Sequence, residues 1–97
     1  MFPVRVVLTT SEPPGRVQAE MLRDAAWAHG SHCGALEHVT VVVHLTGLDL
    51  VLFLASGTAD LEKVAEYLAD STCASFRWIT SWKFAVMPWP TLLHDRS

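Results

Sequence analysis

His29, His32, Cys33 and His38 fall close together in the first half of the chain, and imidazole and thiolate are the usual ligands of zinc and related metals. Their spacing, H-x2-H-C-x4-H, matches no standard finger, and they straddle an expected helix end and loop, where such residues also serve as caps and fillers. No metal is assigned. His38 and His44 lie on one face of a β-rich run, with His44 set among valines. Imidazole ordinarily titrates near working pH, which suits it to general-base work. The companions such a base needs are missing: the sequence contains no Ser-His-Asp spacing, G-x-S-x-G elbow, P-loop or G-x-G-x-x-G. No catalytic residue and no cofactor are assigned. Trp78, Trp82 and Trp89, three of the four tryptophans, crowd the last quarter of the chain; indoles are enriched in interfaces and pockets as well as cores.

The elements that would position these residues follow from periodicity. Val4 to Thr10 is β-branched and apolar, bounded by Pro3 and by Ser11-Glu12-Pro13-Pro14-Gly15, and predicts a strand. Ser11 is a candidate cap, and the proline pair suits a first helical turn. Val17, Met21, Ala25 and Ala28 then recur at helical steps, with the helix expected to end near Gly30. Two β-rich runs from His38 to Ala55 flank a Thr46-Gly47-Leu48-Asp49 corner and predict a hairpin. Leu61, Val64, Ala65, Leu68 and Ala69 share one stripe of a second helix, opened by Asp60 and Glu62. Phe76 to Met87 predicts a last strand, closed by Pro88-Trp89-Pro90.

The order βαββαβ predicts an α+β fold, a ferredoxin-like two-layer sandwich with an antiparallel four-stranded sheet and two helices on one face. One domain over 1–90 with a tail over 91–97 is expected. Both helices are expected to run the same way, which would place Cys33 and Cys73 at one end of the sandwich; free thiols are the default reading.

In such a sandwich one sheet face should be polar, yet the strands are apolar on both sides. Thr40, Val42, Val51 and Phe53, with tryptophans beside them, are expected on the uncovered face. That surface is larger than a monomer normally exposes, and a second copy of the chain is the economical cover. A homodimer through this face is the expectation, with Thr40, Val42, Val51 and Phe53 in the contact.

The stretch HVTVVVHLTGLDLVLFL, a following helix over 59–70 and RWITSWKFAVM together resemble the effector domain of the Lrp/AsnC family of transcription regulators, in which a Gly-x-Asp or Gly-x-x-Asp corner closes the hairpin. The resemblance implies a ferredoxin-like module that dimerises through its sheet and binds amino acids or similar small molecules near that corner. Gly47, Leu48 and Asp49 would then contact ligand, with His44 and Trp82 as neighbours and Asp49 as acceptor for an ammonium group. The architecture also resembles the dimeric α+β barrel superfamily, whose small monooxygenases and related enzymes would use His38, His44 or Trp82 in an apolar pocket.

Composition narrows the rest. The chain has 97 residues, a formal charge of −3, 51% hydrophobic residues and 18% charged ones, values of a folded domain with no basic footprint for direct nucleic-acid contact. Met1 to Leu8 carries Pro3 and Arg5 and lacks the pattern of a secretory leader, and no apolar run approaches the roughly 20 residues a membrane span needs. A cytoplasmic, non-catalytic module for small-ligand binding or protein interaction, possessing regulatory potential, is the leading expectation. A monooxygenase- or cyclase-like small barrel enzyme is the alternative.

Overall fold

A computed structural model describes residues 2–85. Its elements are β1 (Phe2–Thr10), α1 (Arg16–Cys33), β2 (Leu36–Val43), β3 (Gly47–Leu54), α2 (Leu61–Ala74) and β4 (Ile79–Phe84). The strands pair in the order β2-β3-β1-β4, every neighbour antiparallel. This is the ferredoxin-like α+β sandwich. Met1, Pro88-Trp89-Pro90 and the 91–97 tail lie outside the described residues.

The core lies between sheet and helices. Val6 and Leu8 of β1, Leu36 and Val39 of β2, and Leu48, Leu50, Leu52 and Leu54 of β3 meet Leu22 and Ala26 of α1 and Ala65, Leu68 and Ala69 of α2. The alternation of β3 is therefore strict in direction: even-numbered leucines face the helices, while Asp49, Val51 and Phe53 face away.

Several local expectations are corrected by packing. The proline pair precedes α1 instead of opening it: Gly15 is the N-cap, and Gln18 Oε1 accepts a 3.0 Å hydrogen bond from its N–H. The helix does not stop at Gly30. A Cβ at that position would overlap the Leu36 side chain, so this glycine lets α1 lie close on β2 from within the helix. Termination comes at Gly34, with φ of 71°, in the left-handed conformation that ends many helices.

The hairpin turns at 44–46, and Gly47, Leu48 and Asp49 already belong to β3. Gly47 has no side chain because a Cβ would collide with the Leu8 carbonyl oxygen of β1. On β4, Ile79 pairs with Thr10 and Ser81 with Thr9, so Thr80 is an extra residue. That bulge resets the alternation and allows both Ile79 and Trp82 to pack on the core side. The tryptophans expected beside the uncovered face, Trp78 and Trp82, therefore lie against the helix layer.

Because β1 and β3 are antiparallel and each is followed by a helix that reverses direction, α1 and α2 run opposite ways. Their C-termini lie at opposite ends of the sandwich. Cys33 and Cys73, expected at one end, are thus separated, and both are free.

Candidate functional site

The sheet face away from the helices holds Pro3, Arg5, Val7 and Thr9 from β1, His38, Thr40 and Val42 from β2, Asp49, Val51 and Phe53 from β3, and Ser81 and Lys83 from β4. Asp49 stands directly opposite Val7 on one side and Val42 on the other. Arg5 pairs across with Val51, one diagonal step away, and reaches back over β3. Its Nε donates to Asp49 Oδ2 at 2.9 Å and its Nη2 lies 2.7 Å from the same oxygen.

His44 completes the cluster from the hairpin. Its backbone N–H donates to the Gly47 carbonyl at 2.9 Å, closing the turn, and its Nε2 lies 2.9 Å from Asp49 Oδ2. The Asp49 side chain is only 7% exposed, whereas Arg5 and His44 are 31% and 48% exposed. A carboxylate buried in this way needs a partner, and the guanidinium supplies both charge and directed N–H groups. Toward the other end of the face, the His38 ring lies 5.5 Å from that of Phe53, and its Nε2 is 3.3 Å from Thr40 Oγ1. Val51, 8% exposed, sits between the two groups.

The residues expected to bind ligand divide between the two faces. His44 and Asp49 come together. Leu48 is fully buried on the helix side, Gly47 presses on the β1 backbone, and Trp82 also lies on the helix side, its ring 5.3 Å from Phe84 in an edge-on arrangement. Among the described residues no single pocket is lined by His44 and Trp82, because the thickness of the sheet separates them. Thr40, Val42, Val51 and Phe53, expected in a dimer contact, do share the open face. Arg5 was missed as a site residue. The available signal was a lone charge amid the apolar run VRVVL.

His29 and His32 ride on α1, while His38 is on the opposite face of the sheet. Among the described residues no group of three or more His, Cys, Asp or Glu is placed to hold a metal ion. Burial, reinforced by the Asp70 charge, pushes the Cys73 thiol from its ordinary 9.0 up to about 12, which keeps it neutral and unreactive. Cys33 is exposed, and its Sγ donates to the Gly30 carbonyl at 3.3 Å.

Grooves lie elsewhere. One of about 270 Å³ is lined by Phe2, Val4, Leu61, Glu62, Ala65 and Phe84, between the sheet and the start of α2. Two more, of about 300 and 310 Å³, follow the seam between α1 and β2. None of these includes Arg5, His44 or Asp49. Among the described residues no helix is long and apolar enough to cross a membrane.

The class this arrangement defines is a ferredoxin-like sandwich with an ion-paired cluster on its uncovered sheet face. No family model, curated protein or solved structure matches the chain.

Proposed function

We propose that the chain is a non-catalytic binding module that pairs with a second copy through its open sheet face, with the Arg5–Asp49–His44 cluster at the hairpin end of that face receiving a small ligand or a partner side chain. The observation that carries this reading is the composition of the face: Val7, Val42, Val51 and Phe53 form an apolar strip across three strands around a carboxylate whose charge is already balanced. A lone buried charge would oppose coverage by another layer, whereas a paired one lowers that cost. Most soluble oligomers are symmetric copies of one chain, so self-pairing is the economical cover.

The cluster also suggests the sign of what it receives. Asp49 Oδ2 is occupied by Arg5 and His44, so the ammonium-accepting role implied by the regulator resemblance has little room there. The exposed part of the Arg5 guanidinium presents donors, which favour an anionic group such as a carboxylate. Separation of Trp82 from His44 weighs against the barrel-type enzyme with both in one pocket.

Sedimentation across the micromolar range tests the pairing. Wild-type protein is expected at a multiple of the single-chain mass, and Val51→Lys, which directs a charge from the centre of the open face, is expected to lower that mass while unfolding remains cooperative. A mass unchanged by Val51→Lys, or a wild-type monomer throughout, overturns the reading.

A further inference from the structure

The two edges of the sheet are built differently. β4 is six residues long, contains Lys83 and is kinked by the bulge at Thr80, all features that discourage strand addition. β2 is eight residues long, LEHVTVVV, and contains no proline, lysine or arginine; its only formal charge, Glu37, falls at the irregularity between Leu36 and His38. Among the described residues its one strand partner is β3. Beyond that irregularity the pairing of 38–43 with β3 is unbroken, and a largely apolar edge without such a break is a template for another strand.

The hairpin fixes which amides are free to pair. His44 N–H points to Gly47 on β3, and hydrogen bonding alternates along an antiparallel ladder, so the backbone groups of Thr40 and Val42 also turn toward β3. Those of Val39, Val41 and Val43 turn away from β3; Val39 is only 5% exposed, beside Arg23 and Trp27 of α1, whose side chains must move aside for a partner strand. These outward positions are all valine, so the strip reads the same in both directions and is matched by its own antiparallel copy. About a two-fold axis at Val41, Val39 meets Val43 of the copy and Val41 meets Val41, while Thr40 meets Val42. No like charges are opposed in this segment.

The flanking helix is compatible with the same partner. Along the seam with β2, α1 presents Arg16 and Arg23 together with Glu20 and Asp24, so a two-fold copy meets both signs and no single-sign field. Arg16 already lies 3.4 Å from Glu20. Val43, 44% exposed, would lose apolar exposure at the join.

We infer that β2 pairs antiparallel with β2 of a second copy about a two-fold axis at Val41, joining two four-stranded sheets into one continuous sheet. This contact uses backbone groups at the sheet edge and is separate from the pairing of open faces.

Residue-resolved hydrogen exchange on the full chain, compared between dilute and concentrated samples, tests it. The amides of Val39, Val41 and Val43 are expected to slow by about tenfold or more on association. Val43→Pro deletes an outward N–H while leaving the β2–β3 ladder its donors, and is expected to abolish this protection and lower the mass. Val51→Lys is expected to retain it, which separates edge pairing from face pairing. Should Val43→Pro fail to fold, wild-type exchange decides alone. Fast exchange at all three amides in an associated sample, their protection in a monomer, or a wild-type chain that stays monomeric at every concentration overturns the inference.

Discussion

On β3, neighbouring residues live in different chemistries. Leu48, Leu50, Leu52 and Leu54 are fully buried against two helices, while Asp49, Val51 and Phe53, on the other side of the same strand, meet a charged arginine, a histidine and valines of adjoining strands. The low exposure of Asp49 and Val51 comes from the central position of the strand and from long neighbours folded over it. Low exposure alone therefore does not distinguish a core from an interaction surface; the identity of the covering groups does.

The sharpest way to break this comparison is to shorten one residue on each side. Leu50→Ala leaves a cavity under the helices and is expected to cost about 3 kcal/mol, whereas Val51→Ala in dilute protein should cost about 1 kcal/mol. Urea unfolding measures both, and equal losses would mean that the open face is as tightly packed as the core. Next in size is Asp49→Ala, which strands the Arg5 guanidinium and removes the anchor of His44. A loss of about 2 kcal/mol is expected, discounted from a fully buried pair because Arg5 is part-exposed. Pairing Asp49→Leu with Arg5→Met should restore most of it; if it does not, the charges contribute more than mutual neutralisation.

The smallest effect belongs to the helix side. Thr72 is fully buried, and its Oγ1 has no hydrogen-bond partner among the described residues. Thr72→Val removes that polar atom while nearly preserving shape and is expected to stabilise the fold by about 1 kcal/mol. Thermal unfolding reads the gain, and a loss would show that the hydroxyl is satisfied in solution.

Much of the architecture was legible because local periodicity and global packing agree. The steps of α2 at Leu61, Val64, Ala65 and Leu68, and the alternation of β3, each admit one element type. The site was only half legible. His44 and Asp49 are near in sequence, so a hairpin brings them together; Arg5 is distant and arrives through the β1–β3 register. Thr80 was hidden because a one-residue bulge leaves no compositional mark, yet it decides that Trp82 points to the helices. Gly30 resembled a helix terminator and is instead a contact point, since the Leu36 side chain it accommodates comes from the following strand.

What the amino-acid order determined was the succession of strands and helices and the presence of apolar residues on both sides of each strand, because these depend on backbone preference and on side-chain period. Which strands became neighbours, which way the helices ran and which charges met were decided by the tertiary structure. Those outcomes depend on register and on the covering of one face by two opposed helices, and a displacement of one residue along a strand sends every side chain to the other face.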